Sequence, residues 1–341
     1  MTVTGRRVFA CLSAVLCALV LAPSVAYAAE APAPVCTVKD KRLNELSGLV
    51  SDGEHFYAIN DGGTKTQVFV LGRDCAVQRV ITNAADPYDV EDLARAADGT
   101  FWLSDTGDNR KQRDTVALLA LTPQGKATLY RLTYPDGQHD TEALLLGRDG
   151  TPYLVTKNIL GDASVFRPKG KLASPGPTPL ENVGSVAIKT TDTEGGPVGA
   201  LGSLLVTGGA TSADGKVVAL RTYTDAYLYP APDGDIAAAL KREPVRVPLP
   251  GEKQGEAIAF DPDGTLLSGS EGVGEPIKAV PKATDLVKME PEPSGEAPAA
   301  PGGASAAPSG SGPDESTVTA VIVVAAVLVI GFGLFRRSRR R

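Results

Sequence analysis

Four glutamates, Glu45, Glu91, Glu142 and Glu256, each stand seven residues before an Asp-Gly dipeptide, and Thr207 holds the same place before Asp214-Gly215. A polar or charged residue follows each of the five after 14 to 16 positions: Asp61, Asp105, Lys157, Arg221 and Glu271. Like charges gathered in a partly desolvated place repel, so water must enter, a proton must bind or a cation must sit among them. Oxygen-only ligands on a rigid frame suit Ca²⁺. Glu45, Glu91, Asp105, Glu142 and Glu256 are therefore candidate metal ligands, with Lys157 and Arg221 as partial counter-charges. The alternative is a structural network in which these groups pair with one another and with main-chain amides. The sequence leaves both open.

Two further constellations could carry chemistry. Residues 104–109 read Ser-Asp-Thr-Gly-Asp-Asn, with Asp86, Asp89, Glu91 and Asp92 one hairpin arm away. Asp105, Asp108 and Asn109 could hold Ca²⁺ at a strand end, although such residues also form ordinary side-chain-capped turns. In the Arg-Thr-Tyr run at residues 221–223, Arg221 and Tyr223 share a strand face and could join Lys157 in gripping a phosphate or carboxylate. A duller account pairs Arg221 with the ring glutamates.

The chain has two histidines. His55 lies beside Glu54 in a turn, and His139 precedes Glu142 closely enough to serve as a general base. Motifs for a serine-hydrolase elbow, a phosphate-binding loop or a zinc peptidase are missing from the sequence.

Elements that would position these residues can be read from the repeats. Asp-Gly recurs at Asp52, Asp98, Asp149, Asp214 and Asp263, each flanked by short apolar runs rich in Val, Leu, Tyr and Phe. Each copy reads as strand, tight turn, strand, because Asp-Gly suits the positive φ angles of hairpin turns. Successive copies start 46, 51, 65 and 49 residues apart, the length of a four-stranded propeller blade. The fold class expected is all-β, a β-propeller of five blades, with the charged positions meeting at one mouth of the central channel. The long interval predicts insertions near residues 174–179 and 195–202, and a sixth blade within 162–188 is the alternative count.

The wording of the copies resembles a bacterial family of exported propellers. The segments Glu-Leu-Ser-Gly-Leu at 45–49, Val-Glu-Asp-Leu-Ala at 90–94, Ser-Asp-Thr-Gly-Asp-Asn at 104–109, Thr-Glu-Ala-Leu-Leu at 141–145 and Gly-Glu-Ala-Ile-Ala at 255–259 carry the resemblance. That family commonly has Trp where Val90 stands and Ile where Thr106 stands, and it is similar to the SdiA-regulated and esterase-like-phytase propellers. The resemblance implies a propeller with an acidic funnel. Propeller lactonases and phosphotriesterases hold catalytic calcium in such a channel, which implies one possible chemistry without assigning it.

The ends of the chain read as membrane signals. Residues 1–28 form a signal peptide, with Arg6 and Arg7 before an apolar run and Ala26-Tyr27-Ala28 at the cleavage point. The folded domain spans 35–289, and residues 290–316 form a Pro/Ala/Gly/Ser stalk expected to be disordered. Residues 317–335 form a transmembrane helix, and the arginine-rich tail 336–341 stays cytoplasmic. The location expected is the cell membrane, single-pass, with the ectodomain outside. Removing the leader's +2 and the tail's +5 from the net −6 leaves −13 on the segment between. Such a surface disfavours nucleic acid and favours cations. Cys36 and Cys75, alone outside the leader, are expected to form a disulfide in an oxidising compartment. Two functions fit: a surface module binding an unknown extracellular ligand or protein, or a calcium-dependent hydrolase of esters, lactones or phosphoesters with Glu91 or His139 as base.

Overall fold

The computed structural model describes residues 30–288. The expected signal peptide, stalk, membrane helix and basic tail fall outside the described residues. Among the described residues, no helix is long and apolar enough to cross a membrane.

The chain opens with β1 (Ala33–Thr37) and then runs through antiparallel meanders of four strands. The first is β2 (Leu46–Ser51), β3 (Phe56–Asn60), β4 (Thr66–Leu71) and β5 (Val77–Asn83). The second is β6 (Val90–Arg95), β7 (Phe101–Asp105), β8 (Val116–Leu121) and β9 (Ala127–Thr133). The third is β10 (Thr141–Leu146), β11 (Pro152–Thr156), β12 (Asp162–Pro168) and β13 (Thr178–Ala187). The fourth is β14 (Val206–Thr211), β15 (Val217–Thr222), β16 (Asp225–Pro230) and β17 (Val245–Pro248), with the one-turn helix α1 (Ile236–Ala239) before β17. The last has β18 (Gly255–Phe260), β19 (Leu266–Ser270) and β20 (Pro276–Val280), followed by α2 (Ala283–Lys288). Its fourth strand is β1, which pairs antiparallel with β20 from Ala33↔Ala279 to Thr37↔Pro276.

The first strands of the meanders pack in a closed ring: β2 on β6, β6 on β10, β10 on β14, β14 on β18, and β18 back on β2. An apolar core fills each junction. Ile59 and Val70 meet Leu93 and Leu103, Leu118 meets Leu144 and Phe166, and Val155 and Leu145 meet Val206 and Leu220. Leu228 and Val247 then meet Ile258 and Val280, and Leu267 and Ile277 meet Leu49 and Phe56. Each such fully buried side chain contributes roughly 1.5–3 kcal/mol, so stability is distributed around the ring. This is a propeller-like arrangement. The repeats predict five separate blades, and here the hydrogen bonding differs: the strands form four sheets. The second and third meanders share one eight-stranded sheet, because outer strands β9 and β13 pair in parallel at Thr178↔Leu132 and Pro179↔Thr133.

Two local features of the first strands shape the channel. The five Asp-Gly glycines of the repeats have positive φ, from 67° at Gly215 to 90° at Gly53, as the turn requires. Each first strand also carries a β-bulge just inside its channel-mouth end. The shifts lie between Val90 and Asp92, Thr141 and Ala143, Val206 and Gly208, Gly255 and Ala257, and Leu46 and Leu49. A bulge sets two residues against one and re-aims a side chain. The inner strands approach closely here: a Cβ added at Gly48 would stand 2.5 Å from the Leu93 nitrogen.

Residues 162–188, where a sixth blade was the alternative count, are β12, β13 and their connection, so they complete the third meander. The extra length of that interval lies after β13, in a segment that packs on the channel mouth: Gly202 O accepts from the Tyr223 N–H at 3.3 Å. Cys36 and Cys75 are disulfide-bonded with Cα atoms 5.6 Å apart, joining β1 to the loop after β4.

Candidate functional site

The bulges decide which side chains face the channel mouth. Glu91, Glu142, Thr207 and Glu256 occupy the bulge positions of their strands and are all buried. In the first meander the equivalent residue is Ser47, two positions beyond Glu45. The Asp-Gly count misplaces it because this hairpin is shorter: Asp52 N–H bonds His55 O, three residues on, whereas Ala96 N–H bonds Thr100 O, four on. Hydroxyls link the units in sequence. Ser47 Oγ donates to Glu91 O, Thr106 Oγ1 to Thr141 O at 2.8 Å, and Thr207 Oγ1 to Gly255 O at 2.8 Å.

The second strands leave the mouth at Asp61, Thr106, Lys157, Tyr223 and Glu271, one step past the last paired residue of each hairpin. Asp61, Lys157 and Glu271 are residues the spacing pointed to. Asp61 N–H bonds Glu45 O at 2.8 Å, so half-buried Glu45 flanks the mouth through its main chain. Half-buried Glu271 donates its N–H to Gln254 O, and Gln254 Nε2 reaches Glu256 Oε1 at 3.3 Å.

Two expected site residues are engaged elsewhere. Asp105 ends β7 one residue early. Its carboxylate accepts the N–H groups of Tyr88 and Asp89 and pairs with Arg113 at 3.0 Å, fixing the loop that leads into β6. Arg221 is wholly buried between the fourth and last meanders. Its guanidinium donates to the carbonyls of Thr222, Ala257, Gly269 and Tyr223 and pairs with Glu252 at 2.8 Å. Within residues 104–109, Asp108 caps its own loop by accepting from Gln112 and Arg113 N–H, and Asn109 is exposed. His139 packs on Tyr134 and Phe166 with Nε2 2.9 Å from Asp136, rather than on a ring carboxylate.

Three buried carboxylates do converge. Ligand oxygens of Asp61, Asp89 and Glu91 all lie within 4.8 Å of one another. Gly107 presses its main chain against them: a Cβ there would collide with Glu91 Oε1 and stand 2.7 Å from Asp89 Oδ2. The three come from the first two meanders and their connection, so the cluster straddles a unit boundary. This donor set fits a hard divalent cation, which takes 6–8 oxygens in all.

Beside this cluster lies a second group. Lys157 Nζ is 2.8 Å from Glu142 Oε1 and 5.1 Å from the Tyr223 ring centre. Glu142 Oε2 is buried with no hydrogen-bond partner among the described residues. Burial pushes the Glu142 carboxyl up to about 8; Lys157 pulls it down, and the charges of Asp140 and Glu256 push it higher. Asp140 is also raised, first by burial, against the pull of Lys157. Burial works against the Lys157 ammonium, yet Glu142, Tyr223, Asp140 and Glu256 together hold its pKa well above the usual range. Lys157 therefore keeps its charge, and the Glu142 carboxyl is the group raised to about 8. Deeper in the channel, Asp92 accepts N–H bonds from Leu93, Leu144 and Gly209 at 2.8–3.0 Å. β6 and β14 are not neighbours in the ring, so this carboxyl spans the channel. Burial raises it well above the usual carboxylate range, with those three N–H groups opposing.

Glu142 predicts a pH dependence. Its folded pKa lies above its unfolded one, so burying it costs nothing below about pH 4.5 and progressively more as pH rises toward 8. Stability in chelator should fall across that window, and Glu142→Gln should flatten the fall. Melting curves of both proteins at pH 5 and pH 8 check this; an unchanged slope in the variant would contradict it.

No protein-family model matches the chain, and no curated protein matches it. Solved structures similar to it include a gluconolactonase from Xanthomonas campestris at 14% identity, covering 75% of this chain and 89% of that one, with a TM-score of 0.38. A PQQ-bound aldose sugar dehydrogenase from Streptomyces coelicolor is similar at 10% identity, over 74% of this chain and 98% of that one, TM-score 0.40. A virginiamycin B lyase from Staphylococcus aureus is similar at 12% identity over 69% of this chain and 66% of that one, TM-score 0.35.

Proposed function

We propose that this chain is a membrane-anchored, five-bladed extracytoplasmic propeller that binds a divalent cation, most simply Ca²⁺, at its acidic mouth and presents it to an oxygen-rich extracellular ligand. The observation that supports this reading is the convergence of Asp61, Asp89 and Glu91 within 4.8 Å, buried, on a rigid ring. Three carboxylates so close and so shielded from water favour a bound cation. Glu256 and Glu271 add negative potential around the mouth, and Lys157 offers a contact for a ligand carboxylate or phosphate. The resemblance to exported propellers agrees with this placement.

Calcium should therefore stabilise the full chain, by about 2.7 kcal/mol at a hundredfold excess over the dissociation constant. Thermal unfolding with Ca²⁺ and with chelator, alongside elemental analysis, reads this. Glu91→Gln and Asp89→Asn should each shrink the calcium shift while leaving circular dichroism unchanged. Equal midpoints in calcium and chelator, with no metal found, would reduce the cluster to a structural network.

A hydrolase is the second reading, favoured by one arrangement: the buried Glu142 carboxyl, raised to about 8, stands 2.8 Å from Lys157, as a general acid or base could use. Calcium-dependent cleavage of ester or lactone substrates, lost in Glu142→Gln with calcium binding intact, would move the assignment to it.

The placement at the membrane rests on residues 1–28 and 317–341. Protease added to intact cells should release the propeller by cutting within 290–316; a fully protected propeller would refute it.

A further inference from the structure

The opposite end of the channel holds a cavity of about 520 Å³, bordered by residues beside all five Asp-Gly turns. Its chemistry differs from that of the acidic mouth. The floor includes Leu49, Leu93, Leu144 and Ala259, and among the described residues the charged side chains lining it are Arg95 and Arg148. Acids stand behind this lining, where Ser51 donates to Asp261, Ser212 donates to Asp214 at 2.7 Å and Arg95 is 3.7 Å from Asp52, so that among the described residues the charges on the cavity wall itself are the two arginines.

The polar groups at this end are engaged to different degrees within the fold. Thr211 lines the cavity, and its hydroxyl is enclosed without a hydrogen-bond partner among the described residues. Arg95 Nε is likewise buried without a partner; its guanidinium rests over the Tyr57 and Phe101 rings at 5.0 and 5.7 Å, and Asp52 is no nearer than 3.7 Å. Arg148 forms no ion pair among the described residues. Its stem crosses to the next unit and lies on Gly215, where a Cβ would collide with it. That packing holds the guanidinium at the rim, which lowers the entropy lost when it meets a ligand. The Asp92 carboxyl, held by the N–H groups of Leu93, Leu144 and Gly209, lies beneath this floor and separates the two ends.

We propose that this cavity is a second binding site, for a small carboxylic acid with an apolar body. The apolar part would fill the floor, and the carboxylate would face Arg148 and Arg95. A planar guanidinium matches a carboxylate in two parallel hydrogen bonds, and the volume lies in the range of small-molecule pockets.

The test uses 3-phenylpropionate and its neutral amide as probes, with calorimetry on the full chain in chelator, so that the cation reading is not involved. The acid should bind at least tenfold more tightly than the amide. Arg148→Met keeps the packed stem and should remove that preference. Ala213→Trp, at the exposed rim, should exclude both probes. Equal affinity for acid and amide, or an Arg148→Met protein that binds like the parent, would overturn the proposal. So would binding that appears only after the chain is cut beyond Lys288, since the chain's own C-terminal segment would then be the occupant.

Discussion

Replacing Arg221 with methionine should lower the stability of the domain by about 3–5 kcal/mol, because it strands a buried carboxylate. The guanidinium is fully enclosed and serves Glu252 and four main-chain carbonyls at once. Methionine fills much of the volume and supplies none of those donors. Glu252 would be left with Ser268 at 2.7 Å and a distant Lys278 at 3.9 Å. Urea denaturation of the full chain measures the loss. Adding Glu252→Gln should restore part of it, since the stranded charge disappears with its partner. A loss below about 1 kcal/mol would mean that the pair is no more than a surface contact in its energetics.

Removing the Cys36–Cys75 bond should cost a similar amount. The bridge spans 39 residues, and closing a loop of that length in the unfolded chain corresponds to about 4 kcal/mol. It ties the ring-closing strand to the first meander, so the effect should appear as looser closure as well as a lower midpoint. The Cys36→Ser/Cys75→Ser protein should exchange amide protons on β1 and β20 faster than the parent. Mass mapping of the unreduced parent must show the linked peptide; two free thiols would contradict the pairing.

The architecture was largely legible because the hairpin turn is chemically narrow. Asp-Gly marks positions where φ must be positive, and the structure puts a positive-φ glycine at every one. Counting from those turns located Glu91, Glu142, Thr207 and Glu256 correctly at equivalent positions. It failed at Ser47, where a shorter turn shifted the count by two. Arg221 was aligned with Asp61 by sequence, but the fourth hairpin is longer and the residue at that exit is Tyr223. The bulges were invisible as well. They break the alternation of side chains, which is why neighbours Glu91 and Asp92 are both buried, one at the mouth and one in the channel. Asp89 was visible as one acid in a rich loop. Its approach to Asp61 depends on two units meeting, which spacing within one repeat cannot encode. Gly107 gave no signal beyond its type, although its missing side chain is what lets the main chain lie against the carboxylates. Glu252 and the arginine-lined cavity arise from contacts between units and were likewise out of reach.

The position of β20 has a mechanical meaning. It lies between β19 and β1 in its sheet, and α2 follows it directly, anchored by Ala283 and Val287 in the core between the last two units. Tension applied to the chain beyond α2 must first extract that helix and then shear β20 from both flanking strands together. Part of the load on β1 would pass through the cystine into the first meander. The ring is thus pulled at a strand paired on both sides and backed by the cystine, so extracting it requires breaking two ladders at once.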